Sequence, residues 1–240
     1  GVGLEAFINN KVGDLDFPIG VFNAATNAGK TLLMAGIWLA YRKKIPALVL
    51  LNDGDLYEQF KREIPELVGE ENFGYVRGKD AKWGNFTIAM VQTLSQKISL
   101  YKHQLKNIGI LLIDEADLAN NKTYKTCLQA CPSANVRASL SGSIFLSKLK
   151  KDFSKDQDLH CILGETIFKI TKAEMAEQGY STPVVVRIFP GSTKPGIKGD
   201  VKAEYNSGIM YNEDRAMTSV TRMNENIKRK RLPAVVVCHD

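Results

Sequence analysis

The chain has 240 residues, of which 44% are hydrophobic and 24% are charged, as expected for a globular domain with a buried core. No apolar run approaches the ~20 residues that a membrane-spanning helix requires, so we expect no membrane partner. The net charge of +6 and the isoelectric point near 9.0 only mildly favour an anionic partner such as nucleic acid.

The N-terminal residues GVGLEAFINN lack the basic and then apolar order of a signal peptide, and the sequence does not begin with Met. Cys127 and Cys131, two of the four cysteines, are spaced to share one helix face. Without a second ligand pair, this spacing is more typical of buried thiols than of a metal site. We therefore expect a reducing location: the cytoplasm, or the host cytoplasm if the protein is viral.

Short apolar runs alternate with amphipathic stretches along the chain. The apolar runs predict buried strands at residues 17–24, 47–51, 87–91, 108–115, 137–142 and 183–189. The amphipathic stretches predict helices at residues 30–44, 55–68 and 122–131. Alternation of this kind predicts an α/β fold, with a mostly parallel sheet that helices flank.

The character of the sequence changes near residue 191. Residues 191–232 predict a linker followed by a helix, and residues 233–240 predict one further apolar strand. Because one strand cannot form a sheet by itself, it either joins the preceding sheet or begins a second domain, and we favour the second. The expected organisation is thus a domain over residues 1–190, then the linker and helix, then the first strand of a truncated domain.

The stretch ATNAGKT, residues 25–31, lies between a predicted strand and a predicted helix. In this context the backbone N–H groups of a loop and the helix dipole bind an anion, so the stretch predicts a phosphate-binding loop. The pattern G-x-x-x-x-G-K-[ST] has Gly where this chain has Ala24, and Asn27 is a residue that tolerates positive φ. The residues expected at the phosphates are Thr26, Asn27, Ala28, Gly29, Lys30 and Thr31.

The stretch LLIDEAD, residues 111–117, ends a predicted strand in adjacent acids. Because ligands of open α/β sheets bind at the carboxyl ends of strands, these acids are expected beside the phosphate loop. Lys30 would then contact the β- and γ-phosphates of ATP, Thr31 and Asp114 would hold Mg²⁺, and Glu115 would activate the attacking water. Either stretch alone also fits an ordinary turn or strand end, but both together, in this order, predict nucleotide hydrolysis.

Five segments in this order resemble the motifs of superfamily 2 helicases and translocases, whose motor domains are RecA-like P-loop NTPases. Besides ATNAGKT and LLIDEAD, the segments ALVLLNDGDLYEQF (47–60), FTIAMVQTLSQ (86–96) and ASLSGS (138–143) resemble motifs Ia, Ib and III. The resemblance implies ATP and Mg²⁺ as cofactors and a nucleic acid as partner. It also implies that the motif III residues couple nucleotide state to movement: Ser141, Gly142 and Ser143.

The letters DEAD suggest a DEAD-box RNA helicase, but the other motifs of that group are absent here. The segments 75–96 and 176–188 are more similar to bacteriophage and bacterial DNA-remodelling helicases of the UvsW type. That resemblance implies single-stranded or branched DNA as partner, in replication, recombination or repair. It also implies a second RecA-like domain in cis that carries motifs IV to VI and an arginine finger, and only the first strand of that domain is expected in this sequence.

The resemblance also implies contacts to the phosphates of DNA after two of the strands. The implied residues are Asn52, Asp53, Gly54, Gln92, Thr93 and Ser95. An alternative is that these are ordinary helix N-caps. Lys79 and Lys82 flank Trp83, a combination that can stack a base, although a solvated loop is the commoner context.

Two other functions fit the sequence. A nucleic-acid clamp would bind nucleotide without useful hydrolysis, but the intact Lys30, Asp114 and Glu115 argue against it. A double-stranded DNA translocase subunit of the restriction type would move on DNA without separating its strands. The sequence does not distinguish this translocase from a helicase.

Overall fold

In a computed structural model of the protein, the described residues are 2–9, 18–24, 28–41, 44–142, 157, 160–180, 217 and 221. Their strands form one eight-stranded sheet: β1 (Ile19–Ala24), β2 (Ala47–Leu51), β3 (Phe73–Arg77), β4 (Asp80–Lys82), β5 (Phe86–Met90), β6 (Ile110–Asp114), β7 (Val136–Ser141) and β8 (Thr166–Ile170). Their helices are α1 (Val2–Ile8), α2 (Lys30–Ala40), α3 (Gly54–Val68), α4 (Val91–Gln96), α5 (Lys102–Lys106), α6 (Lys122–Gln129) and α7 (Lys172–Glu177). A 3₁₀ turn, Ala116–Leu118, follows β6.

The strand order across the sheet is β4-β3-β5-β2-β6-β7-β1-β8. All neighbouring pairs are parallel except β3 and β4, which form an antiparallel hairpin. In the centre, Val49 of β2 pairs with Ile88 on one side and with Leu112 on the other. Every residue of β2 and β6 is buried, which confirms the expected α/β class with a mostly parallel sheet.

Alternate side chains of each strand point to opposite faces of the sheet, and helices cover both faces. Leu48 and Leu50 belong to one apolar cluster, whose helical members come from α4, α5 and α6: Val91, Leu94, Leu105, Tyr124, Cys127 and Leu128. Val49 and Leu51 belong to the other, whose helical members come from α1, α2 and α3: Phe7, Met34, Ala35, Ile37, Trp38, Tyr57, Phe60, Ile64 and Val68. The domain is therefore a three-layer helix–sheet–helix arrangement.

The predicted cysteine pair lies inside the first of these clusters. Cys127 and Cys131 are both fully buried free thiols. Burial raises the pKa of each thiol to about 12, so both stay protonated and unreactive at neutral pH.

The predicted strands and helices within the described residues are present, with shifted ends. The largest shift is in α2, which was expected to reach residue 44 but ends at Ala40. Pro46 disfavours the helical conformation at Ile45, so the helix has to end before that residue. Three strands (β3, β4 and β8) and four short helices (α1, α4, α5 and α7) were not predicted.

The chain divides into two compact units, residues 1–183 and 184–240. In the second unit only Met217 and Thr221 are described. Apart from these two residues, the strand expected at 183–189, the linker and helix at 191–232 and the strand at 233–240 lie outside the described residues, and they stay predictions. Of the helices that the structure describes, none has the length and apolar character needed to cross a membrane.

Helix α1 offers a test of the core. Phe7 is fully buried, with its ring centroid 5.5 Å from that of Phe22 in β1. We expect Phe7→Ala to lower the free energy of unfolding by about 3–5 kcal/mol because it leaves a cavity, as measured by urea denaturation. Ile8→Ala, on the exposed side of the same helix, should change it by less than about 0.5 kcal/mol. Equal losses in both variants would contradict this packing.

Candidate functional site

The two predicted motifs meet at one edge of the sheet. Because β6, β7 and β1 are parallel neighbours, their carboxyl ends lie side by side. Asp114 ends β6, Ser141 ends β7, and α2 begins a few residues after β1. The structure thus brings Lys30, Asp114 and Ser141 to adjacent strand ends, where open α/β sheets bind their ligands.

The start of α2 has the properties of an anion site. Gly29, at the N-cap, has φ 73° and ψ 33°, a left-handed conformation that Gly adopts without steric cost, and no side chain among the described residues caps the helix. The first N–H groups of an uncapped helix lack partners and carry partial positive charge, so they attract a phosphate. Lys30 and Thr31 are the first two residues of α2, and both are half-buried. Ala28 directly precedes Gly29, whereas Thr26 and Asn27 lie outside the described residues.

Asp114 is a buried carboxyl, with a relative exposure of 6%. Burial raises its pKa, the charge of Lys30 counteracts that rise, and the charges of Glu115 and Asp117 add to it. A hydrogen bond from the Glu115 backbone to the carboxyl also lowers the pKa. Lys30 is therefore close enough to act on Asp114, as one phosphate- and metal-binding site requires.

Glu115 has φ 52° and ψ 58°, and among the described residues it is the only one other than Gly with positive φ. Such a conformation costs on the order of 1–3 kcal/mol and is concentrated at functional sites. Its side chain is exposed, unlike that of Asp114. The two neighbouring acids therefore differ in environment, one buried beside a cation and the other open to water.

Two hydrogen bonds connect the acidic segment to its surroundings. Ser141 Oγ donates to Asp117 Oδ1 at 3.1 Å, and Tyr124 OH donates to the Asp114 carbonyl at 3.4 Å. Burial raises the pKa of Tyr124, so its hydroxyl remains a donor. Sequence reasoning gives Asp117 no role, although its place as the third acid of LLIDEAD is a visible signal. Gly142 follows Ser141 at the surface, and Ser143 lies outside the described residues.

The residues considered for DNA contacts lie at the carboxyl ends of β2 and β5, which are parallel neighbours. Gln92 Nε2 donates to Asn52 Oδ1 at 2.5 Å, which joins these two strand ends. Ser95 Oγ donates to the Gln92 carbonyl at 3.1 Å. The structure therefore brings these three polar residues together on one surface.

Asp53 and Thr93 have structural partners. The Asp53 carboxylate caps α3 by accepting from the Leu56 N–H at 2.8 Å, as in the helix-cap alternative. Gly54, the next residue, begins α3. Thr93 Oγ1 accepts from the Gly78 N–H at 3.0 Å, so it connects α4 to the turn between β3 and β4.

The donor set fits Mg²⁺. This ion prefers oxygen ligands and is commonly held by one or two carboxylates together with substrate phosphates. Thr31 supplies a hydroxyl and Asp114 a carboxylate beside the uncapped start of α2. No group of three or more His, Cys, Asp or Glu side chains is arranged for metal binding within the described part of the chain.

Solved structures with the same fold include several helicases. The UvsW helicase from bacteriophage T4 has 19% identity and a TM-score of 0.51, with 63% of this chain and 54% of that chain covered. The Hef helicase domain of Pyrococcus furiosus has 18% identity and a TM-score of 0.51, with 62% of this chain and 34% of that chain covered. S. cerevisiae Dbp5 L327V bound to RNA and ADP BeF3 has 15% identity and a TM-score of 0.51, with 70% of this chain and 44% of that chain covered. The likeness confirms the RecA-like fold, and this chain spans about half or less of their lengths.

The sequence itself identifies the family. A comparison with curated proteins gave no match. Residues 7–145, more than half of the chain, match the family described as type III restriction enzyme, res subunit. The chain therefore belongs to this family, within the superfamily 2 helicases.

Proposed function

We propose that the chain is the ATP-binding motor domain of a DNA helicase or translocase that acts on forked or branched DNA. The observation that carries this proposal is the placement of the Lys30 cation, the buried Asp114 and the exposed Glu115 beside the uncapped start of α2. The res-subunit family and the helicases of the same fold support the general class, an ATPase that works on nucleic acid.

Each polar group at the edge has a role in phosphoryl transfer. Lys30 and the free N–H groups of α2 bind the β- and γ-phosphates of ATP, and the helix dipole favours their negative charge. Thr31 and Asp114 would hold Mg²⁺, which when bound neutralises charge on the phosphates. The Glu115 carboxylate orients a water molecule and accepts its proton. Phosphoryl transfer depends mainly on such positioning and charge stabilisation.

Coupling to nucleic acid would start at Asp117. Its hydrogen bond to Ser141 connects the acidic segment to the end of β7, so a change at the phosphates reaches the motif III residues. We assign this coupling to Ser141, Gly142 and Ser143. A second RecA-like domain would supply the arginine finger and the other half of the nucleic-acid track.

DNA would lie across the carboxyl ends of β2 and β5, at the surface that Asn52, Gln92 and Ser95 form. We expect ATPase activity to be stimulated most by forked DNA, less by single-stranded DNA and least by single-stranded RNA, when measured on a chain that includes the second domain. Because the Dbp5 structure contains RNA, stimulation by RNA alone is a real alternative that would overturn the choice of DNA.

A translocase subunit that moves on duplex DNA without separating its strands is the second candidate. The description of the matched family, a restriction enzyme subunit, favours it. Displacement of a labelled strand from a fork distinguishes a helicase. Displacement of a triplex-forming strand without fork unwinding would support the translocase instead.

Lys30→Ala should weaken nucleotide binding at least about tenfold, because charge-assisted hydrogen bonds to the phosphates are lost. Titration with a fluorescent ATP analogue measures this. Lys44→Ala removes one exposed lysine that precedes β2, at the opposite edge of the sheet, and should leave affinity unchanged. Wild-type affinity in the Lys30 variant would contradict the phosphate role.

Glu115→Gln should keep nucleotide binding and lower the rate of hydrolysis by about 10²–10⁴-fold, the usual contribution of a general base. The amide has nearly the same shape but cannot accept a proton from water. The matched control is Glu66→Gln, which changes an exposed carboxylate on α3. Normal turnover by Glu115→Gln would show that another group activates the water.

Asp114→Asn should stabilise the ligand-free domain at neutral pH while it weakens Mg²⁺-dependent nucleotide binding. Because burial raises the pKa of Asp114, ionisation opposes folding at pH values above that raised pKa. Below about pH 3.9, the ordinary Asp pKa, the group is neutral in both states and the gain disappears. Urea denaturation along a pH series measures the difference, with Glu66→Gln as control. A stability gain that is independent of pH would exclude this cause.

A further inference from the structure

The hairpin formed by β3 and β4 extends the row of strand ends beyond the surface described so far. β3 is parallel to β5, so Arg77, its last residue, lies at the carboxyl edge of the sheet. The turn that follows, residues 78–79, is therefore next to the start of α4. The order β4-β3-β5-β2 then places this turn in line with Gln92 and Asn52.

Two hydrogen bonds, one at the N–H and one at the carbonyl of Gly78, hold the turn against α4. Gly78 has φ 56°, a conformation that favours glycine in tight hairpins. Its N–H donates to Thr93 Oγ1 at 3.0 Å, and its carbonyl accepts from Lys97 Nζ. Thr93 lies within α4, and Lys97 is its C-cap. The hairpin turn and the helix that follows β5 are therefore held as one surface.

The cations of the hairpin fall into two groups. Arg77 forms an ion pair with Glu58 and lies over the Tyr57 ring, 5.1 Å from the ring centroid. Its charge is therefore already neutralised within the domain. Lys79 lies in the turn, whereas Lys82 pairs with Tyr75 and so lies two residues back from the turn along the antiparallel β4; both are exposed. Neither forms an ion pair within the described residues, although Asp80 lies between them in the sequence. The hairpin thus presents two available ammonium groups.

Trp83 does not share this exposure. It is half-buried against Tyr101, with the ring centroids 5.3 Å apart. Its indole N–H is buried and has no hydrogen-bond partner among the residues that the structure describes. Because the ring packs inside the domain, it is not available to stack on a base, and the hairpin offers charge alone. Charge without base contacts is typical of phosphate recognition that does not depend on sequence.

We propose that the β3–β4 hairpin is part of the nucleic-acid track, with Lys79 bound to a phosphate of one strand laid across the ends of β2, β5 and β3. The long side chain of Lys82 would bind a neighbouring phosphate from two residues further back along β4. Neighbouring strands are about 4.8 Å apart, so the row from β2 to β4 spans about 14 Å. The inference rests on the proposed function, because it names a further contact of the same nucleic acid.

The test compares two double variants with the same loss of charge. Lys79→Ala with Lys82→Ala removes the hairpin cations, whereas Lys44→Ala with Lys106→Ala removes exposed lysines that precede β2 and β6, at the opposite edge. Binding of fluorescein-labelled dT20 is measured by anisotropy over a series of NaCl concentrations. The slope of log K against log[salt] should fall by about 1.4 in the hairpin variant, about 0.7 for each lost phosphate contact, and stay unchanged in the control.

The remaining outcomes separate this inference from the proposed function. A wild-type chain that binds dT20, with an unchanged slope in the hairpin variant, overturns the hairpin contact and leaves the proposed function intact. Equal losses in both double variants reflect net charge only and also overturn it. A wild-type chain that binds no dT20 overturns both. Binding of the fluorescent ATP analogue should be unchanged in both variants, which verifies that each is folded.

Discussion

Everything at the candidate site depends on the parallel alignment of the central strands. Because β5, β2, β6, β7 and β1 run in the same direction, each delivers its following residue to one edge of the sheet. Residues far apart in sequence, such as Lys30 and Asp114, are therefore brought close enough at this edge for the charge of one to act on the other. The apolar strand interiors hold this edge rigid, since every residue of β2 and β6 is buried. Positioning is therefore a property of the sheet rather than of the loops.

This alignment is also what made the placement of the candidate residues predictable. The apolar runs of β2 and β6 are long enough to identify buried parallel strands, and the residues directly after such strands belong to one edge. The position of Lys30, Asp114 and Glu115 at one edge of the sheet could thus be predicted from the order of strands and helices along the sequence alone. The left-handed backbone at Glu115 was not predictable, because Glu has no preference for positive φ and no sequence pattern indicates it.

The elements that sequence reasoning missed lack a periodic apolar pattern or are short. β4 has three exposed residues, and β8 lies at the sheet edge with no fully buried residue. For α7 a signal was present and overlooked: Thr171 and Glu174 form a capping box, the S/T-x-x-E pattern of a helix start. The tether of Gly78 to Thr93 and Lys97 joins residues 15 and 19 positions apart, and no local pattern indicates it.

The left-handed backbone at Glu115 has a consequence for engineering this domain. Gly, Asn and Asp are the residues that suit positive φ best, and Glu is not among them. Replacement of Glu115 by Gly or Asn should therefore raise the melting temperature, and a selection for thermostable variants would favour these replacements. Both replacements lack the carboxylate that we propose as the acceptor of the proton from water. Under that proposal, stability and turnover are opposed at this single residue, and a library of stabilised variants should keep Glu115 unchanged.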